Sequence, residues 1–287
     1  LGLWFSPDSV DDFCNWEKDA AVLIDLHKKY GIKAFKLDAT NIRSKQGEEN
    51  LFHMMRKVVG ETDGKVLLNL DVTAQARSGF YGRVQYTGLF LENRYTDWHN
   101  YYPHWTLRNL WMLSKYYPAF RLQTEFLNVS RNKELYHEDP LAPSVCGIEY
   151  AFAVTMFSNP LAWMTLTGLD EETRKILGRV IPEYRNYQSG ILSGTILPIG
   201  EEPSGTSWSG FQSITGEDEG FLLLLKEYNT ADHHRYTLWK GKNKKLRLRH
   251  LMGQGEDRAV ETDGDGRADF TLAGNFQYAL YAYERKP

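Results

Sequence analysis

Lys36 and Asp38 stand two residues apart in an otherwise apolar run, A-F-K-L-D-A-T, Ala34 to Thr40. On an extended strand, residues i and i+2 point to the same face, so an ammonium and a carboxylate would project together from a buried element. Charges are rare in such a place unless they are paired or used. A carboxylate kept ionised by a neighbouring ammonium can attack an electrophilic carbon, and the ammonium can bond a substrate hydroxyl. A buried structural ion pair is the other reading of the same two residues. Further polar groups close apolar runs in the same way: Asp8; Asn69 and Asp71; Glu92, Asn93, Arg94 and Asp97; Gln123 and Glu125; and Trp163. Each alone has an ordinary explanation as a cap, a turn or a strand-end ion pair. Together they describe a polar, carboxylate-rich pocket with a Trp wall, which suits a polyhydroxylated ligand. Two carboxylates facing across such a pocket are what glycoside hydrolysis needs. One attacks the anomeric carbon; the other protonates the leaving oxygen and then activates water, with the pair about 5–5.5 Å apart in retaining enzymes.

Strands must carry those residues, and the chain supplies a regular alternation. L-G-L-W-F (1–5), Ala34 to Ala39, K-V-L-L-N-L-D-V (65–72), T-G-L-F-L-E-N (87–93), F-R-L-Q-T-E-F (120–126) and P-L-A-W-M-T-L (160–166) read as strands. Between them apolar residues recur at helical spacing. Ala20, Val22, Leu23, Leu26 and Tyr30 mark a helix over 15–31, with Gly31 as its C-terminal cap. Helices are also expected over 48–59, over 103–117 with Pro103 in the first turn, over 144–157, and from 169 onward with Asp170 as N-cap. Strand–helix alternation at this spacing predicts βαβ units and a parallel sheet. A TIM barrel or a doubly wound sheet satisfies it. No G-x-G-x-x-G follows a strand and no G-x-x-x-x-G-K-[ST] occurs, which counts against the nucleotide-binding doubly wound folds. In a barrel the chemistry sits at the C-terminal strand ends, where the polar residues fall. After Ser193 the texture changes. Pro198 to Gly216 reads as loop, and the short alternating runs beyond it predict a small antiparallel β-sandwich. The expected domains are 1–195 and 196–287.

The composition is that of an ordinary globular chain of 287 residues, 42% hydrophobic and 25% charged. A net charge of −3 gives no general pull toward nucleic acid or anionic membrane. No apolar run reaches the roughly 18 residues of a membrane span. Cys14 and Cys146 lack paired spacing, so two buried free thiols are expected rather than a disulfide framework or a zinc site. His99 and the pair His233-His234 have no second ligand pair at metal spacing. The absence of an initiator Met and of a signal peptide, with a strand-like run at residue 1, suggests a piece of something larger. T-D-G-D-G-R-A-D (262–269) has spaced aspartates, but its D-G steps predict a hairpin turn rather than a calcium loop. K-G-K-N-K-K-L-R-L-R-H (240–250) reads as a lysine-protected strand edge, since no aromatic residue is interleaved for stacking. No G-x-S-x-G elbow supports a serine hydrolase.

Three stretches resemble motifs of the α-galactosidase families of glycoside hydrolase clan D, family 36 above all. G-L-W-F-S-P-D (2–8) is similar to that family's G-L-W-F-E-P-E, and K-L-D (36–38) to its nucleophile motif K-W-D. R-Y-T-D-W-H-N-Y-Y-P-H-W-T-L-R-N-L (94–110) resembles its acid/base stretch, W-x-S-D-D-T-like and followed by an arginine-bearing helix. The resemblance covers 1–190 and a C-terminal β-domain of the expected kind. Two departures stand out. The family's C-S-G-G-G-x-R-x-D is represented only by N-L-D-V-T-A-Q-A-R, with Arg77 its one match, and Trp98 replaces the second Asp of the acid/base motif. The resemblance implies strands three to eight of a (β/α)8 TIM barrel, lacking the first two strands, followed by the β-sandwich. It implies a retaining α-glycosidase, most readily an α-galactosidase, with Asp38 as nucleophile and Asp97 as acid/base. Trp4, Lys36, Asn69 and Arg94 would line the glycone subsite, Asp8 would bind a hydroxyl, and Trp163 would form the aromatic wall. No metal or organic cofactor is needed, the partner is a glycoside or oligosaccharide, and no nucleic acid or membrane is involved. Relatives often assemble as homo-oligomers, and a soluble protein of cytoplasm or periplasm is expected. The alternatives are a non-catalytic carbohydrate-binding relative and an α-glycosidase for another sugar, such as N-acetylgalactosamine.

Overall fold

The computed structural model describes residues 2–38, 40–71, 83–91 and 96–285. Arg77, Glu92, Asn93 and Arg94 therefore lie outside the described residues. The fold is α/β with an added antiparallel part. Strands β1 (Gly2–Phe5), β2 (Ala34–Leu37), β3 (Leu67–Asp71), β4 (Thr87–Leu91), β5 (Leu122–Phe126) and β6 (Asn159–Ala162) follow one another in chain order across a six-stranded sheet. The pairs β1–β2, β2–β3 and β3–β4 are parallel. This is part of a barrel-type α/β sheet, as the alternation of elements predicts. The chain divides into two compact units, 1–92 with 121–123, and 93–120 with 124–287. That division falls away from residue 195; what changes at Thr195 is strand direction, because antiparallel pairing begins there.

In the first unit, helices α1 (Trp16–Tyr30) and α2 (Lys45–Glu61) pack on one another. Gly31 ends α1 at φ 70°, the left-handed conformation that makes glycine the favoured C-terminal cap. Ser44 starts α2 by accepting from the Gly47 N–H at 3.0 Å, so this helix begins three residues before Gly47–Glu48 would suggest. The parallel register sets the two faces of the sheet. Trp4, Lys36, Asn69 and Gly88 stand in one row across β1 to β4. The alternate positions, Phe35, Leu37, Leu68, Leu70 and Leu89, are fully buried. The period of two thus separates an apolar face from a polar one.

The second unit holds α3 (Pro103–Leu113), α4 (Pro143–Cys146), α5 (Ile148–Ala153) and α6 (Glu171–Ser193). The single helix expected over 144–157 is two short ones, because Gly147 takes φ 78° between them. Asp170 caps α6 as expected, its carboxylate accepting from the Thr173 N–H at 2.7 Å. Next come β7 (Thr195–Gly200), β8 (Trp208–Ile214), β9 (Gly220–Lys226), β10 (His233–Thr237), β11 (Lys245–Gly253), β12 (Arg258–Glu261), β13 (Arg267–Thr271) and β14 (Gln277–Arg285). They form a six-stranded sheet, β12-β11-β14-β9-β8-β7, and a two-stranded sheet, β10-β13. The layers share a core that includes Trp208, Leu222, Leu224, Tyr236, Leu248 and Phe270.

Four sequence expectations need correction here. Pro198 to Gly216 is not loop throughout: β7 runs to Gly200 and β8 fills Trp208–Ile214. β8 is central and buried on both faces, so it shows no alternation, and its serines resemble loop residues while bonding inside the core. Ser209 donates to the Glu201 carbonyl and Ser213 to the Ile191 carbonyl, both at 2.7 Å. The basic run at 240–250 is no sheet edge: β11 lies between β12 and β14. The D-G turn at 263–266 does not close a hairpin, since β12 pairs with β11 and β13 with β10. Cys14 is exposed and only Cys146 buried, both as free thiols.

Candidate active site

The polar face of the first unit gathers a compact charge cluster. Lys36 Nζ lies 3.0 Å from Asp71 Oδ2 and 4.0 Å from Asp38 Oδ2. The same ammonium sits 4.2 Å from the ring centre of Trp4 and 4.7 Å from that of Phe90. Two aromatic faces and two carboxylates thus enclose one cation, each attracting the ammonium electrostatically. The side chains of Lys36 and Asp71 are 10% and 9% exposed, whereas that of Asp38 is 39% exposed. The buried pair anchors the cluster and leaves Asp38 as its accessible carboxylate. Asp38 follows β2 directly, and its N–H donates to the Phe5 carbonyl at 3.0 Å, so the backbone is held at the strand end.

Asn69 lies beside Lys36 in the register row, buried, its amide donating to Gln123. Its Oδ1 has no hydrogen-bond partner among the described residues. Gly88, next in the row, carries no side chain; a Cβ there would come 3.1 Å from the Arg121 carbonyl. Asp8 is placed differently from the strand-end cluster. It lies in the turn before α1, and its two carboxylate oxygens accept from the Val10 N–H at 3.1 Å and the Asn15 amide at 2.8 Å. Those two bonds hold its pKa below the usual carboxylate range.

The second unit contributes a separate pocket of about 460 Å³, lined by Asp97, Asn128, Arg131 and Trp163 among others. Asp97 sits on a short 3-10 helix, Thr96–Trp98. Its Oδ1 accepts from Arg131 Nε at 2.8 Å and from the Asn132 amide at 2.9 Å. Asn132 takes φ 53°, a left-handed conformation that asparagine tolerates well and that aims its amide back at Asp97. Asp97 and Trp163, far apart in sequence, line the same pocket. Phe90 and Arg131 escape a sequence reading as site residues, whereas Asp71 stands among the strand-end polar groups without an assigned role. Asp71 closes its strand as Asp38 does, so its signal was present; Arg131 follows a strand by five residues and has none. Among the described residues, no group of three or more His, Cys, Asp or Glu side chains is arranged to hold a metal ion.

No protein-family model matches this sequence, and no curated protein matches it significantly. Solved structures do match in fold. A family 36 α-galactosidase, an AgaA variant from Geobacillus stearothermophilus in complex with raffinose, aligns at TM-score 0.67 and 13% identity. AgaB, a family 36 α-galactosidase of the same organism, aligns at TM-score 0.66 and 14% identity. An α-amylase from Geobacillus thermoleovorans, complexed with acarbose, aligns at 0.60 and 15%. These alignments cover 96%, 96% and 95% of this chain but 38%, 38% and 64% of the others. The chain therefore has the fold of part of an α-glycosidase and spans about two-fifths of each of these two α-galactosidases. Among the described residues, no helix is long and apolar enough to cross a membrane.

Proposed function

We propose that this chain carries the central machinery of a retaining α-glycosidase acting on terminal α-galactose. The observation that supports it best is the Lys36 cluster: an accessible carboxylate beside a lysine that a second, buried carboxylate and two aromatic faces hold in place. Asp38 attacks the anomeric carbon as the bond to the leaving oxygen breaks, giving a glycosyl-enzyme ester. Asp97 gives its proton to the leaving oxygen, then takes one from the water that cleaves the ester. Arg131 and Asn132 both bond Oδ1 of Asp97, so Oδ2 is the oxygen to exchange that proton. Lys36, Asn69 and Arg94 bind sugar hydroxyls, Asp8 is a further hydroxyl ligand, and Trp4 and Trp163 offer apolar faces to the ring. Residues 1–195 and 196–287 are proposed as the chain's domains. Turnover of an aryl α-galactoside tests the reading. Asp38→Asn should abolish it, and unchanged turnover would remove Asp38 as nucleophile. A panel of aryl α-glycosides fixes the sugar, including the N-acetylgalactosamine alternative.

A second reading is a carbohydrate-binding relative without catalysis. The engagement of Asp97 Oδ1 by both Arg131 and Asn132 favours it, since a carboxylate held by protein donors is less free to reach a leaving oxygen. Binding of galactosides with neither burst nor turnover on any aryl glycoside would select this second reading.

A further inference from the structure

The basic run at 240–250 has no aromatic residue inside it, yet the fold of the second unit brings two tryptophans to it. Trp111 of α3 and Trp239, just past β10, line a groove of about 920 Å³ together with Lys115, Lys240, Lys242 and Lys244. That volume lies within the range of small-molecule sites, about 300–1,000 Å³. Each indole N–H is already used: Trp111 donates to the Ile199 carbonyl at 3.1 Å, and Trp239 to the Pro198 carbonyl at 2.9 Å. Both rings are thereby fixed in orientation, and what they offer the groove is an apolar face. Trp239 is half exposed, although a tryptophan with no surface role is normally covered. Lys115 Nζ lies 3.7 Å from the centre of the Trp111 ring. Lys244 is paired with Asp218 at 2.6 Å, while Lys115, Lys240 and Lys242 have no ion pair among the described residues. The groove is therefore cationic. One carboxylate, Asp265, also borders it and is itself paired with Arg267 at 3.4 Å.

We infer that this groove binds an acidic oligosaccharide, pyranose rings bearing carboxylates, at a site separate from the Asp97 pocket. The C–H face of a pyranose lies on an indole ring, and a uronate carboxylate bonds a lysine ammonium. Asp265 and the exposed hydroxyl of Thr237 accept from sugar hydroxyls. A deoxyribose phosphodiester strand matches the lysines and the rings but has no hydroxyl donor along its length for Asp265. The groove thus fits a ligand with both anions and hydroxyls.

The test titrates the chain with an oligogalacturonate, followed by tryptophan fluorescence and calorimetry. Saturable binding is expected. A neutral galacto-oligosaccharide of equal length should bind roughly tenfold more weakly, and added salt should weaken the uronate alone. Trp239→Ala should abolish the fluorescence change. Because that substitution also removes a hydrogen bond to Pro198, Lys240→Gln with Lys242→Gln is the second variant. It touches only surface charge, should keep the parent melting temperature and aryl α-galactoside turnover, and should lose about tenfold in uronate affinity. Asp38→Asn should bind the uronate as the parent does, so failure of the glycosidase reading leaves this result intact. The inference is overturned by absence of saturable binding, by unchanged affinity in the lysine double variant, or by tighter binding of a single-stranded oligonucleotide or a sulfated oligosaccharide.

Discussion

Replacing Lys36 by Met separates the structural ion pair from the functional cluster. The partner left behind, Asp71, has a side chain 9% exposed and loses the ammonium 3.0 Å from its Oδ2. At an effective dielectric near 20, two unit charges at that distance attract by roughly 5 kcal/mol before desolvation is counted. Removing one member of such a buried pair costs about 3–5 kcal/mol, since the remaining charge keeps its desolvation cost and loses much of its compensation. A chain of this size should then melt on the order of 10 °C lower. Lys36→Met with Asp71→Leu removes both charges and leaves apolar groups against Trp4 and Phe90, so it should recover most of that loss. The two measurements are urea denaturation and release of an aryl group from an aryl α-galactoside. Stability should return in the double variant, while turnover stays lost in both, because Asp38 has lost the cation 4.0 Å away. A double variant that is stable and fully active would refute the reasoning: Lys36 would then serve the fold alone.

Three further outcomes follow from particular contacts. Burial holds His104 neutral, with its pKa pushed down to about 4 from 6.5. The unfolded chain binds that proton first as pH falls, so the fold loses stability between about pH 6.5 and 4, by up to about 3 kcal/mol; His104→Gln should flatten this part of a stability–pH profile measured by urea denaturation. Glu227 accepts from the N–H groups of Ser204, Gly205 and Ser207, so Glu227→Ala should cost about 3 kcal/mol and open the 201–207 loop to proteolysis; full protection would contradict its role as that loop's anchor. Arg131→Ala removes the 2.8 Å contact that positions Asp97 and should lower turnover of an aryl α-galactoside by roughly one to two orders of magnitude, whereas turnover equal to the parent's would show that Arg131 does not position the acid/base.

The spacing of residues along this chain determined a great deal. Strand geometry sets Lys36 on the polar face and buries Phe35 and Leu37 on the opposite one, and Asp38, one residue past β2, stays within 4.0 Å of Lys36. The caps at Gly31 and Asp170 and the parallel order of the first strands follow equally local rules. Where burial is two-sided, the local signal fades: β8 is polar in composition and central in position, and only its neighbours β7 and β9 make it a strand. Side-chain partners were likewise settled by tertiary structure. Nothing in the order of residues says that Asp71 rather than Asp38 takes the closer contact with Lys36, that Arg131 and Asn132 hold Asp97, or that Trp111 joins Trp239 beside the lysines. Periodicity fixes the face a residue occupies, because that depends on backbone geometry alone. Partners depend on how distant elements pack, and packing is decided by the whole chain at once.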